Sequence, residues 1–233
     1  MTGSDMSAFW DARARENAPY FVDNRLDYRR PDWGAFWRGG EDDLATFIAL
    51  LDLRIGSAET VVEIGCGLGR ITRALASRAA HVVALDVSPA MIAAAQQHNP
   101  GLPGVDWRVG DGESLTGVAS ASADGVFSHV VFQHVPDPAI TYAYVAEIGR
   151  VLRPGGWAAF QVSDDPGLHT PEPLGRRLAR WLRRGPRGAT HEAWLGSAID
   201  LPRLREVAHA SGLAVERVVG AGTQFCLLAL RRV

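Results

Sequence analysis

Between residues 61 and 70 the chain reads Val61-Val62-Glu63-Ile64-Gly65-Cys66-Gly67-Leu68-Gly69-Arg70, an apolar run that ends in an acid and opens into three alternating glycines. This predicts a strand turning tightly into a helix. Glycine, having no Cβ, takes positive φ and lets a ligand approach the backbone, while the N–H groups that open the next helix face the same crevice. A second apolar run, His81 to Asp86, ends in a carboxylate about 20 residues beyond the glycines, where a nucleotide's ribose hydroxyls need an acceptor pair. Such residues suit the cradling of a nucleotide-like cofactor. The spacing is G-x-G-x-G and not the G-x-G-x-x-G of a dinucleotide-binding turn. Further along, His129 and His134 are the polar groups near the end of a predicted fourth strand that accept a proton near neutral pH.

The elements that must position these groups alternate regularly. After the first two strands come Val105 to Val109, which runs into Gly110-Asp111-Gly112, then Asp124 to Val130, and then Trp157 to Val162 after Pro154-Gly155-Gly156. Helices are expected at Gly69 to Arg78, Pro89 to His98 and Pro138 to Leu152, the last with Ile140, Tyr144, Ile148 and Val151 along one face. This is the pattern of a parallel sheet covered on both sides. Pro202 to Ser211 reads as the last crossover helix, and Leu213 to Val219 with Thr223 to Leu230 as a closing hairpin. The fold class is therefore α/β, a Rossmann-like doubly wound sheet of seven strands, mostly parallel, with an antiparallel last strand.

Residues 1–56 precede the core and are read as a helical lid, and residues 57–233 as the core itself. The lid carries the rings of Phe9, Trp10, Tyr20, Phe21, Tyr28, Trp33, Phe36 and Trp37. They serve either to dock helices on the core or to line a pocket for a largely apolar acceptor, with Tyr20, Trp33 and Trp37 as candidates. From Asp42 to Leu53 a helix is plain, its core stripe formed by Leu44, Phe47, Ile48 and Leu51. Residues 166–199 break the rhythm with four prolines around an arginine-rich helix, expected as a cap inserted after strand five. There Arg176 and Arg180, among six arginines, form either a solvated basic face or a receiver for an anionic acceptor.

With 233 residues and 47% hydrophobic content, one substantial core with appendages is the economical organisation. A net charge of −2 argues against a protein that coats nucleic acid. Cys66 and Cys226 have the spacing of neither a metal knuckle nor a redox pair, and both read as small apolar residues. Met1 to Asp11 lacks the features of a signal peptide and no apolar run reaches the length of a membrane span, so a soluble cytoplasmic protein is expected.

Over roughly residues 57 to 165 the order of the glycine loop, Asp86, Gly110-Asp111-Gly112, the segment after strand four and Leu152-Arg153-Pro154-Gly155-Gly156 resembles the class I S-adenosylmethionine-dependent methyltransferases, in particular their small-molecule members. The resemblance implies S-adenosylmethionine as cofactor. It gives Gly65, Gly67 and Gly69 to backbone approach around the methionine part, with Cys66 and Arg70 beside them, and Glu63 to the amino-group side. Asp86 falls at the ribose position with Val87 and Met91 after it, and Asp111 with Gly112 at the adenine amino group. Ser128 and His129 stand where cofactor and acceptor meet.

Gln133-His134-Val135-Pro136-Asp137 looks like a segment of small-molecule members in which an acid precedes the histidine; Gln133 replaces that acid, and no metal is expected. His129 and His134 are read either as general bases or as structural histidines bonded to backbone. The expected reaction is methyl transfer to oxygen or nitrogen of a small organic acceptor, anionic or carrier-bound acceptors included. Two alternatives stand beside it: a nicotinamide-dependent oxidoreductase, and a non-catalytic cofactor-binding subunit of a methyltransferase complex. The Asn-Pro-Pro-Tyr type segment of base-amino methyltransferases is absent after strand four, so nucleic acid is not the expected acceptor.

Overall fold

The computed structural model describes residues 2–169 and 191–233. Seven strands, β1 (Thr60–Ile64), β2 (His81–Asp86), β3 (Val105–Val109), β4 (Ala123–Ser128), β5 (Leu152–Val162), β6 (Leu213–Val219) and β7 (Cys226–Arg232), form one sheet in the order β3-β2-β1-β4-β5-β7-β6. β1 pairs in parallel with both β2 and β4, and β7 runs antiparallel between β5 and β6. The strand order reverses between β1 and β4. In open sheets of this kind that reversal leaves a crevice beyond the carboxyl ends of the strands, because successive crossovers leave on opposite faces.

Both faces of the sheet are covered, which explains why β1 reads as an almost unbroken apolar run rather than an alternating one. On one face Val62, Ile64, Val126 and Phe160 pack under α5 (Pro138–Val151) and the helix Leu201–Ala210. On the other, Val61, Phe127 and Ala159 pack under α2 (Trp33–Leu51) and α3 (Arg70–Ala76). Helix starts are written locally. Ser88, Asp137 and Asp200 each accept a backbone N–H from the first turn, and each helix has a proline at its opening positions, where a missing N–H costs nothing.

The N-terminal 56 residues divide into two structural roles. The α2 helix begins at Trp33, nine residues before the expected start at Asp42, because Asp32 caps it on the Ala35 N–H at 3.1 Å. Its Leu44, Phe47 and Leu51 are buried in the same cluster as Val61 and Phe127, making α2 a layer of the core. The α1 helix (Gly3–Val22) covers the carboxyl end of the sheet and is kinked at Asn17, two residues before Pro19. It docks through Asp11, which accepts from Ser88 Oγ and the Ala90 N–H at the start of α4 (Pro89–His98), and through the Gly3 N–H, which donates to Glu113 Oε1 at 2.7 Å. A short helix, α6 (Glu192–Leu195), packs its Ala193 against Met6 and Phe9 of α1, and Leu201–Ala210 is α7. Among the described residues no helix is long and apolar enough to cross a membrane.

Strand limits differ from the sequence pattern at β4, β5 and β7, with β4 ending at Ser128 before the left-handed turn at Val130. β5 starts at Leu152, since the Pro-Gly-Gly bend still pairs with β4 through Leu152 and Ala123 before the register shifts. β7 starts only at Cys226, because Thr223 closes a turn on the Gly220 carbonyl.

The close approach of α2 to α3 depends on Gly40: a Cβ there would run into the carbonyl of Arg70. Gly40→Ala should therefore cost about 1–3 kcal/mol of unfolding free energy, as overpacking against fixed backbone does. Denaturant unfolding with an unchanged m-value would measure it, and an unaltered midpoint would mean that α2 contributes little to the cooperative core.

Candidate active site

The crevice is a cavity of about 1140 Å³, counting its open mouth, at the carboxyl ends of β1, β2 and β4. Ligand sites usually run to roughly 300–1,000 Å³, so there is room for a cofactor and part of a second molecule. Its floor is the β1–α3 loop. Gly65 and Gly67 have φ of 74° and 53°, and a Cβ on Gly65 would collide with the side chain of Val131, while one on Gly67 would sit 2.8 Å from Val22. Only glycine gives that loop both its left-handed backbone and its open upper surface. Gly69, also left-handed at φ 84°, precedes α3 under Trp107 and does not line the cavity.

Two carboxylates stand side by side on this floor. Asp86 accepts the Gly67 N–H through Oδ2 and the Ser88 N–H through Oδ1, both at 2.9 Å, and faces the cavity. Each oxygen keeps a second lone pair for a ligand hydroxyl. Burial pushes its pKa up to about 6, against the pull of the backbone N–H groups. Glu63, buried at the end of β1, accepts only the Thr72 hydroxyl at 2.5 Å, and burial raises it to about 7. An acid so far desolvated favours a cationic partner. Cys66 between the glycines is buried, with its thiol pushed well above the usual value by the same desolvation. Arg70, Val87, Met91 and Gly112 also line the cavity.

The walls are mostly apolar. Met6, Trp10, Phe21 and Val22 come from α1, with Leu115, Val130, Val131, Val135 and Tyr144 from the core. Tyr20, Trp33 and Trp37 do not reach it: Tyr20 stands edge-on to Tyr28, while Trp33 stacks on Trp37, which lies under the guanidinium of Arg73 at 3.5 Å. Those three rings dock helices, and other rings of α1 face the ligand space. Arg176 and Arg180 lie outside the described residues.

Two further expectations change. Asp111 is exposed and folds back on its own loop, accepting from the N–H groups of Glu113 and Ser114 and from the Ser114 hydroxyl at 2.5 Å; those bonds hold its carboxyl below the usual range and turn it away from the cavity. Gly-Asp-Gly here is a turn. Ser128 is fully buried and donates to the Ile64 carbonyl at 3.1 Å, so it ties β4 to β1 rather than touching a ligand.

The histidines separate. His134 is tied at both nitrogens: Nδ1 lies 2.8 Å from the Trp194 carbonyl and Nε2 3.1 Å from the Gln133 amide, which accepts in turn from Gln161 at 2.6 Å. With its ring against Trp10 and Trp194, burial lowers its pKa to about 4. It is a neutral, satisfied, structural histidine at the cavity wall. His129 is held below its ordinary pKa by burial, with Asp43 opposing that shift, and its Nδ1 is buried without a hydrogen-bond partner among the described residues. The next residue, Val130, adopts φ 56°, a left-handed backbone rarely taken by a β-branched residue, held by its N–H donating to Gln161 at 3.2 Å. Asp43 carries no motif in sequence. It comes from α2 and meets His129, Arg25 and Arg70 only in the fold.

An open, mostly parallel sheet with a glycine loop and paired strand-end acids at its switch point defines an adenosyl-type cofactor-binding fold. Residues 62–160, somewhat less than half of the chain, match the family described as methyltransferase domain. The chain is 42% identical over 105 residues to malonyl-[acyl-carrier protein] O-methyltransferase of Hahella chejuensis, covering 44% of this chain and 36% of that protein. To ubiquinone biosynthesis O-methyltransferase of Xylella fastidiosa it is 38% identical over 102 residues, covering 43% and 40%. The match thus spans less than half the length of either relative. Among solved structures, an S-adenosylmethionine-dependent methyltransferase of Mesorhizobium loti superposes with a TM-score of 0.60 at 24% identity, over 81% of this chain and 96% of that one.

The raised pKa of Glu63 makes a stability prediction. The unfolded chain gives up this proton near pH 4.5 and the folded chain near 7, so stability is lost as pH rises across that window and the full penalty stands above it. Glu63→Gln, which removes the charge and keeps the shape, should raise Tm relative to wild type more at pH 8 than at pH 5. Equal differences at both pH values would mean that burial of the carboxyl is not strained.

Proposed function

We propose that the chain transfers a methyl group from S-adenosylmethionine to a small, largely apolar acceptor. The observation that carries this reading is that one cavity is lined by the glycine loop, the two strand-end acids and the His129 imidazole. The residues present suit the cofactor: a Cβ at Gly67 would encroach on the space left open, Glu63 favours a cation such as its ammonium group, and Asp86 has lone pairs for its ribose hydroxyls. Val87, Met91, Gly112 and Leu115 offer an apolar slot for its base. When bound, the sulfonium supplies an electrophilic methyl carbon, and no covalent enzyme nucleophile is needed.

The chain's own task is then alignment, exclusion of water and removal of a proton. Trp10, Phe21 and Val22 roof the cavity and keep it dry, and His129 is the group placed to accept a proton. Arg70, the one arginine or lysine among the described lining residues, is already engaged by Asp43. The described walls therefore favour an uncharged acceptor, and an anionic or carrier-bound one would draw on the arginine-rich segment instead. The names of the two relatives, both O-methyltransferases, support oxygen as the methylated atom.

Calorimetry should find binding of S-adenosylmethionine and its demethylated product, with Asp86→Ala losing about 2–4 kcal/mol of affinity as two charge-assisted bonds go. A preference for a nicotinamide dinucleotide would sink this reading in favour of an oxidoreductase. A metabolite-extract screen with methyl-labelled cofactor identifies the acceptor, and turnover by the isolated chain excludes a purely cofactor-binding subunit.

A further inference from the structure

Asp43 reaches the cavity through His129. Its Oδ2 lies 3.5 Å from His129 Nε2, 2.6 Å from Arg70 Nη1 and 2.9 Å from Arg25 Nη2. Arg25 also pairs with Asp23 at 2.7 Å, and Asp23 stands 3.9 Å from Arg70. Two acids and two arginines thus form a closed cluster without net charge, which fixes the Asp43 carboxylate and keeps it ionised. The imidazole is set edge-on against Phe47, with ring centroids 5.1 Å apart, and its side chain is 13% exposed. A carboxylate beside Nε2 calls for a proton on Nε2, which leaves the lone pair on Nδ1, the atom without a partner. At 3.5 Å the Asp43 contact is at the outer limit of hydrogen bonding, as such contacts often are before a ligand tightens them.

Resting on the methyl-transfer reading above, we propose that Asp43 is the positioning residue for His129, that the two form a carboxylate–imidazole dyad, and that the acceptor is a hydroxyl compound. A neutral amine already presents its lone pair, whereas a hydroxyl must shed a proton as its oxygen bonds to carbon, and a dyad serves the second case. The hydroxyl oxygen bonds to the methyl carbon, the carbon–sulfur bond breaks with its electron pair left on sulfur, and the proton passes from oxygen to His129 Nδ1. The imidazolium so formed faces Asp43. Besides Asp43 from α2, the charged groups around the ring are Arg70 from α3 and Arg25 from the α1–α2 connection, and both oppose its protonation.

Nitrogen NMR of the histidine-labelled full chain, without ligand, reads the arrangement directly. At neutral pH His129 should carry its proton on Nε2 with Nδ1 bare. Asp43→Asn should disturb that tautomer and lower the imidazole pKa further, since the one group favouring its protonation is gone, and Asp43→Glu should restore both. A proton on Nδ1 in wild type, or an unchanged Asp43→Asn spectrum, overturns the dyad.

With the acceptor returned by the labelled-cofactor screen, Asp43→Asn should lose on the order of 10²-fold in kcat with KM little changed, and the acid limb of its pH profile should move to lower pH. Should that variant fail to fold, His129→Gln leaves the arginine–aspartate cluster intact and should lose at least as much. Methylation at an amine nitrogen, or wild-type kcat in the variant, overturns the proposal. Calorimetry separates the two layers. A wild-type chain that binds no S-adenosylmethionine overturns methyl transfer itself, and one that binds it while failing these tests overturns the dyad alone.

Discussion

The desolvation of two neighbouring carboxyl groups, Glu63 and Asp86, governs the arrangement of everything around the cavity. Both sit at the ends of adjacent parallel strands, where the sheet stops and the backbone must find other partners. Asp86 supplies some of these by accepting the Gly67 and Ser88 N–H groups, so the glycine loop and the entry to α4 are pinned to one side chain. Among the described residues Glu63 accepts one hydroxyl and pairs with no cation, and the pull of Arg70 offsets its burial only in part. A fold that buries an acid with so little compensation is arranged around a partner that arrives later.

The same site contains a second electrostatic solution of opposite kind. Burial also acts on Asp23 and Asp43, yet both are held below the usual carboxylate range, Asp43 by His129, Arg25 and Arg70 and Asp23 by Arg25 and Arg70. Breaking such a cluster on one side would leave a charge stranded in low dielectric, so its members stand or fall together. Since α2 and the α1–α2 connection bring Asp43 and Arg25, whereas Arg70 opens the glycine-loop helix and His129 follows β4 directly, the cluster also fastens the N-terminal segment to the core.

Much of this was legible in the sequence. Apolar runs ending in Glu63 and Asp86, the proline-marked helix starts and the hairpin after α7 predicted a seven-stranded sheet, because local chemistry of strand, cap and turn acts over a few residues. The floor of the cavity is local too. Its walls are not. Trp33 and Trp10 look alike in sequence, and only the packing of α2 into the core, against the draping of α1 over the crevice, sends one to a helix interface and the other to the ligand space. Asp111 and Asp86 are both acids at strand ends; three donors within its own loop claimed the first. Asp43 was invisible for the plainest reason, since its partners lie 18, 27 and 86 positions away and nothing local marks a long-range ion cluster.

Val130 sets stability against function at a single backbone position. A β-branched residue with φ 56° costs about 1–3 kcal/mol that glycine would not incur, so the chain forgoes stability within easy mutational reach. What holds the strained turn is a run of amides, Gln161 on the Val130 N–H and Gln133 behind it, ending on His134. A laboratory evolution experiment selecting for heat resistance alone would find position 130 attractive, and each gain there would loosen the direction in which the preceding imidazole is aimed.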